Sequence, residues 1–407
     1  MATDPRANPG GAVPPGLPAP DAEAAAHSQR LRAAISDAIA AAGGAITFQR
    51  FMELALHAPG LGYYSAGSRK LGGAGDFVTA PELSPLFART LAGPCRTALG
   101  AVGAGANVLE VGAGSGALAA GLLAELAAAD ALPEEYRILE ISAELRERQR
   151  QTLQACDPAL AARVRWVDDL PPSDFHGVVL ANELLDAMPV HRFVVTENGL
   201  RESYVAIDEA GEGFVWQTGE PSTSALVERV EAIEAAIGGP LPIGYTSEIN
   251  LAAEDWVRAL GPRLEAALVL LIDYGFGRGE YYHPQRHMGT LMCHYRHHAH
   301  GDPLVLVGLQ DITAHVDFTA IAEAADGAGL TVAGYTTQAH FLLGSGLAQL
   351  AQAAGGDDPA EQLRVANEVK RLTLPHEMGE LFKVMGLTRG IDLQLPGFAL
   401  NDMRQRL

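Results

Sequence analysis

Val108-Leu109-Glu110-Val111-Gly112-Ala113-Gly114-Ser115-Gly116 decides the fold, because a short apolar run passes there into three glycines at alternate positions. The pattern predicts a buried strand that turns into a helix around a ligand, the helix beginning near Ala117. Gly112 allows the tight turn, Gly114 lets backbone approach the ligand, and Gly116 lets the helix pack closely on the strand. Backbone N–H groups at such a helix start point toward something anionic.

Gly112–Ala117 also satisfies the G-x-G-x-x-G/A form of dinucleotide sites, so spacing alone leaves two cofactor classes open. Glu110 weighs between them. A carboxylate two residues before the first glycine repels a pyrophosphate, but it suits a ligand that carries an ammonium and a sulfonium. That ligand is S-adenosylmethionine, and the E-x-G-x-G-x-G form resembles the first motif of class I methyltransferases. The bland alternative is a Gly-rich turn in a chain that has 45 glycines.

The 407 residues, 48% hydrophobic and 19% charged, are enough for a large core and more than one structural unit. A formal net charge of −20 argues against a nucleic-acid surface, which needs clustered Lys and Arg. Such a surface would attract a basic protein segment or keep the molecule soluble. Cys95, Cys156 and Cys293 are far apart and form no C-x-x-C pair, so neither a disulfide framework nor a cysteine zinc site is expected. A reducing, cytoplasmic compartment fits. Residues 1–27, dominated at first by Pro, Gly and Ala, have no apolar core for a signal peptide and are expected to be a flexible leader. No run approaches the ~18 apolar residues of a membrane span.

After the leader, Leu31, Ile35, Ile39, Phe51, Leu54 and Leu56 predict a helical cap, and His57–Glu82, with its glycines, aromatics and acids, predicts a ligand lid. Helix 117–129 is expected to follow the glycine loop. Tyr136–Glu140 then reads as a second strand, with Glu140 at its end 24 residues beyond Gly116, near the ~20 at which an acid accepts ribose hydroxyls. Val164–Val167 is a third strand, and Asp168 after it either lies near an adenine or caps the next segment. Val178–Ala181 is a fourth, followed at once by Asn182, Glu183 and Asp186. Ligands of parallel α/β sheets bind beyond the carboxyl ends of the strands, so these groups lie where the reactive end of a cofactor belongs. Helix capping by Asn182 with first-turn acids is the structural alternative.

Residues 190–217 alternate as a β-meander, 223–237 and 248–264 have helical patterns, and Ala267–Asp273 is an apolar fifth strand. His283–His300 holds six histidines without the Asp, Glu or Cys spacing of a zinc site, so a polar loop is expected and no metal. A helix over Phe318–Gly327, a helical stretch 342–374 and strands 330–335 and 382–387 complete the pattern.

Five blocks in order carry a more specific resemblance: Gly75–Glu82 (GDFVTAPE), Glu110–Gly116 (EVGAGSG), Asn182–Pro189 (NELLDAMP), Leu271–Gly275 (LIDYG) and Gly308–Phe318 (GLQDITAHVDF). Together they resemble the MidA-like methyltransferases, the family that includes the mitochondrial complex I assembly factor 7. The match runs from about Gly60 to Lys383. It implies an S-adenosylmethionine-dependent protein arginine methyltransferase. In a bacterial member it implies a complex I (NADH:quinone oxidoreductase) subunit as protein substrate, while the net charge and the hydropathy already argue against nucleic acid and a membrane span.

The expected fold is therefore a doubly wound α/β, Rossmann-like class I methyltransferase sheet with a helical N-terminal cap and a β-rich insertion. Its divisions are a leader 1–27, cap and lid 28–104, first half of the core 105–189, substrate-contacting insertion 190–265 and second half of the core 266–407. Glu183 and Asp186, then Asp76 and Glu82 from the lid, are the candidate catalytic carboxylates. Gly112, Gly114, Gly116 and Glu140 are the candidate cofactor residues, with Glu110, Asp168 and Asn182 supporting. Three rival classes stay open: a methyltransferase of small molecules or nucleic acid, an NAD-linked oxidoreductase, and a non-catalytic assembly factor.

Overall fold

The computed structural model describes residues 16–65, 78–211 and 213–407, so Asp76 and the first part of the expected leader lie outside the described residues. The chain forms two compact units. One comprises residues 78–185, 254–277 and 316–407, and the other the described residues up to Ser65 with 186–253 and 278–315.

The first unit is built on β1 (Asn107–Val111), β2 (Tyr136–Leu139), β3 (Val164–Val167), β4 (Phe175–Asn182), β5 (Leu264–Phe276), β6 (Thr331–Thr337) and β7 (Phe382–Arg389). Their order across the sheet is β3-β2-β1-β4-β5-β7-β6, and β7 alone runs antiparallel to its neighbours. Continuous apolar strands such as Val178–Ala181 and Ala267–Ile272 are stable only where both faces are covered. Val178, Leu180, Leu268 and Leu270 lie at 1% exposure or less on one face, and so do Leu109, Val179, Val269 and Leu271 on the other. Helices α1 (Pro85–Val102) and α2 (Ala117–Ala128) contribute Phe87, Leu91, Leu118, Leu122 and Leu126 to the core cluster that includes Val178 and Leu180. Helix α3 (Ala143–Cys156) follows β2, and α4 (Phe318–Gly327) buries Phe318 and Ile321. β1 is followed by β2 on one side and flanked by β4 on the other, so the winding reverses at β1. That reversal opens a crevice at the carboxyl ends of β1 and β4. The doubly wound sheet expected from the glycine motif is therefore present.

In the second unit Ala45–Thr47, His191–Thr196, Gly199–Ile207, Phe214–Gly219 and Thr246–Ile249 form an antiparallel sheet. The meander is as expected. Pairing of Ala45–Thr47 with Gly199–Ile207 joins the N-terminal helices Ala22–Ala41 and Phe48–His57 to the inserted strands in one unit.

Three local expectations are corrected. The first helix starts at Ala22, inside the expected leader, because Asp21 accepts the Ala24 N–H at 2.9 Å and caps an alanine-rich segment of high helix propensity. The expected helix 248–264 is a strand, Thr246–Ile249, then a helix, Leu251–Leu260, divided by Asn250, whose side chain accepts the Ala253 N–H. The histidine-rich loop holds two strands, Met292–Tyr295 and His298–His300, in a three-stranded sheet with Asp311–Thr313. Cys293 and Tyr295 supply a buried period of two that the histidines mask. Among the described residues no His, Cys, Asp and Glu group is arranged to hold a metal ion, and no helix is long and apolar enough to cross a membrane.

Candidate active site

The glycine loop closes β1 with a backbone that only glycine adopts at low cost. Gly112, Gly114 and Gly116 have φ of +69°, +52° and +84°. A Cβ at Gly112 would lie 3.2 Å from a Leu184 methyl, and one at Gly116 would lie 3.1 Å from the Gln149 Cα. The loop is thus pressed between the segment after β4 and helix α3, with its amides at the N-terminus of α2.

Glu110 lies one residue before the end of β1, opposite Ile138 and Leu180. Its carboxylate turns into the apolar face, where it accepts the Tyr136 hydroxyl at 2.6 Å. Burial pushes it up to about 7 from the ordinary 4.5; the Tyr136 bond lowers it and the neighbouring Glu140 charge raises it. Glu140, just past β2, is also buried, and burial raises its carboxyl too. It accepts the Ser142 N–H at 2.9 Å and the Gln149 amide at 3.1 Å. Two buried acids beside a glycine loop, each disfavoured in its charged form by burial, favour a cationic ligand over an anionic one. Ile141, the next residue, stands 67% exposed, a large apolar side chain displayed beside a polar cradle.

Asp168 follows β3 with its side chain exposed and ion-paired to Arg146 at 2.6 Å. The same guanidinium holds the Glu140 and Val167 carbonyls, so Arg146 ties the ends of β2 and β3 together.

β4 ends at Asn182, opposite Ile272 of β5. The Asn182 Nδ2 donates to Glu183 Oε1 at 3.1 Å, while its Oδ1 is buried without a hydrogen-bond partner among the described residues. An orphaned buried acceptor calls for a donor from a ligand or water. Glu183 has φ +51°, the left-handed region that costs a non-glycine residue about 1–2 kcal/mol. Its N–H donates to the Ile272 carbonyl at 2.9 Å, and two residues on, Asp273 accepts the Leu185 N–H at 2.9 Å. These bonds to β5 hold the strained turn. Strain kept in place at a strand's carboxyl end is a mark of a functional position.

The sheet unit therefore contains Glu110, Gly112, Gly114, Gly116, Glu140, Asp168, Asn182 and Glu183 at or beside the carboxyl ends of β1 to β4. Glu82 is in the same unit, on the short helix Ala80–Leu83 ahead of α1. Asp186 belongs to the other unit, where it is buried and its carbonyl accepts the Ala314 N–H; burial, then the charges of Asp311 and Asp186, push the Tyr64 hydroxyl pKa well up. Gln149, Tyr136 and Arg146 carry hydrogen bonds of the site and were not among the expected residues, whereas Asp273, expected at the cofactor edge of the sheet, accepts the Leu185 N–H. For Gln149 the signal was present: Leu145, Gln149 and Leu153 recur every four residues, which puts the amide on the buried stripe of α3.

The reversed seventh strand, the glycine loop at the winding reversal and the acid after β2 define a class I methyltransferase whose cofactor is S-adenosylmethionine. The chain belongs to the family described as "Putative S-adenosyl-L-methionine-dependent methyltransferase", which matches residues 90–336. A Burkholderia thailandensis protein solved with S-adenosyl-homocysteine bound is 49% identical, with a TM-score of 0.91, over 96% of this chain and all of that one. The mitochondrial protein arginine methyltransferase NDUFAF7 of Danio rerio is 28% identical over 377 residues, covering 84% of this chain and 83% of that protein. The Drosophila melanogaster NDUFAF7 homolog is likewise 28% identical, over 86% of this chain and 82% of its own length.

Proposed function

We propose that this protein is a protein arginine methyltransferase whose cofactor lies across the carboxyl ends of β1, β2 and β4, with Glu183 as the catalytic carboxylate. Support for the arginine comes from the names of the 28%-identical NDUFAF7 relatives and from the resemblance of the five motif blocks. The observation that carries the proposal is Glu183 itself, a strained acid at the end of the central strand beside the glycine loop.

Bound S-adenosylmethionine supplies an electrophilic methyl group on its sulfonium. The chain's residues do the rest. Glu140 accepts the ribose hydroxyls, Ile141 offers an apolar face to the adenine, and the Gly112–Gly116 amides receive the cofactor's carboxylate. Asn182 Oδ1 accepts from its ammonium, and the Glu140 carboxylate favours the cation. Glu183 holds the incoming guanidinium by charge-assisted hydrogen bonds, so that one nitrogen faces the methyl. A free guanidinium has a pKa above ~12, so its proton leaves only as the new C–N bond forms and the methyl–sulfur bond breaks, the electron pair of that bond staying on sulfur as the neutral thioether of S-adenosyl-homocysteine. The Glu183 carboxylate accepts the proton. The proposed target is a subunit of respiratory complex I, modified during assembly.

The experiment is mass spectrometry of complex I subunits from cells with and without this protein. Methylarginine present only with the protein supports the proposal. The same arginine methylation in both strains overturns the target, and transfer of label to another residue type by the purified protein overturns the chemistry.

A further inference from the structure

Gln149 is fully buried in a helix whose neighbours, Arg146, Glu147, Arg148, Arg150 and Gln151, are partly or wholly exposed. A buried amide must satisfy its donors and acceptor inside the protein. Gln149 uses both ends. Its Nε2 donates to the Gly114 carbonyl and to Glu140 Oε2, each at 3.1 Å, and its Oε1 accepts the Trp166 indole N–H at 2.8 Å. The amide cannot be turned over, because an indole N–H only donates and a backbone carbonyl only accepts. Three strand ends are therefore joined through one side chain: the glycine loop after β1, the carboxylate after β2 and Trp166 of β3. The Gly116 backbone presses on the same residue, where an added Cβ would lie 3.1 Å from the Gln149 Cα.

We infer that Gln149 is a positioning residue for the cofactor, a single amide that locks the glycine loop to the Glu140 carboxylate. It need not touch the ligand. Without it the Gly114 carbonyl and Glu140 would each lose a fixed donor, and the two halves of the cradle would hold their spacing only through the loop backbone. Preformed spacing is what lets a site bind without ordering itself at the moment of binding. The inference rests on the proposed cofactor cradle, so Glu140→Ala serves as the control for that cradle.

The test is calorimetry with S-adenosyl-homocysteine on the wild type, Gln149→Met, Gln149→Glu and Glu140→Ala. Met keeps the length of the side chain without its polar ends, and Glu keeps an oxygen for Trp166 but removes both donated bonds. Both Gln149 variants are expected to bind about tenfold or more weakly, at temperatures where circular dichroism shows them folded. A second readout uses the Trp216→Phe/Trp256→Phe background, which leaves Trp166 as the remaining tryptophan of three. There the ligand is expected to change Trp166 emission when Gln149 is present and to leave it unchanged in Gln149→Met. A merely structural role would lower the melting temperature without moving either signal. Should Gln149→Met fail to fold, Gln149→Glu decides. Weak binding by Glu140→Ala with wild-type affinity in a folded Gln149 variant overturns the inference alone; full affinity in Glu140→Ala overturns the cradle.

Discussion

Tyr136 and Glu110 occupy adjacent parallel strands, and the tyrosine hydroxyl donates to the buried carboxylate at 2.6 Å. That bond keeps an acid inside an apolar face directly beneath the glycine loop. Burial outweighs it and leaves the Glu110 carboxyl at about 7 rather than 4.5. The folded protein thus retains a proton that the unfolded chain has lost, so this group's contribution falls as pH rises from about 4.5 to about 7. The size is on the order of 3 kcal/mol. Glu110→Gln accepts the same hydroxyl and carries no charge. Urea unfolding at pH 5 and pH 7.5 should show the variant gaining on the wild type at the higher pH. Parallel pH profiles would contradict the assignment.

Glu140→Ala should weaken adenosylmethionine binding by ~1.5–3 kcal/mol, the range for losing hydrogen bonds to a charged acceptor. Titration calorimetry reads it directly. Unchanged affinity in a folded variant would remove Glu140 from the cofactor site.

Gly114→Val should do more. The φ of +52° at Gly114 is strained for any L-residue and most of all for a β-branched one, and the added side chain would also stand in the ligand's approach. Binding is expected to be lost in a protein destabilised by ~1–2 kcal/mol. A melting curve and a binding titration on one sample separate the two effects, and retained affinity would show that the ligand does not approach this glycine.

Glu183→Gln keeps the shape and an acceptor for the Asn182 amide but removes the charge that pairs with a guanidinium. Cofactor affinity should stay within a few-fold, while methyl transfer falls by ~10²-fold or more, the scale for losing a positioned proton acceptor. Near-normal transfer would shift the role to Asp186, Glu82 or Asp76. Lost cofactor binding would make Glu183 a cofactor ligand instead.

Much of the sheet was legible because its signals are local. The apolar runs of β4 and β5 and the glycine triplet after β1 each state their environment within a few residues. The helical break at Asn250 was hidden because Ile249, spaced i, i+4, i+7, i+11 with Ala253, Trp256 and Leu260, carries a helical apolar spacing back into the strand, and only the pairing of Thr246–Ile249 with His191–Thr196 decides otherwise. The union of the N-terminal helices with the inserted strands was equally out of reach, since it rests on the long-range pairing of Ala45–Thr47 and on Leu31 and Phe51 sharing a core with Val205 and Phe214. At the site, residue types at strand ends pointed to Glu140 and Glu183. Nothing local marked Glu110 as turned inward, because the direction of its side chain follows from the partner Tyr136 on another strand. Glu183's left-handed backbone is likewise imposed by bonds to β5.

The central claim, methyl transfer to arginine at a site centred on Glu183, is tested most directly with purified wild type and Glu183→Gln. Each is incubated with methyl-labelled S-adenosylmethionine and a complex I subunit preparation, and the labelled residues are identified by mass spectrometry. The account predicts label on arginine nitrogen with the wild type and at least ~10²-fold less with the variant. Label on any other residue, or equal labelling by both proteins, would contradict it.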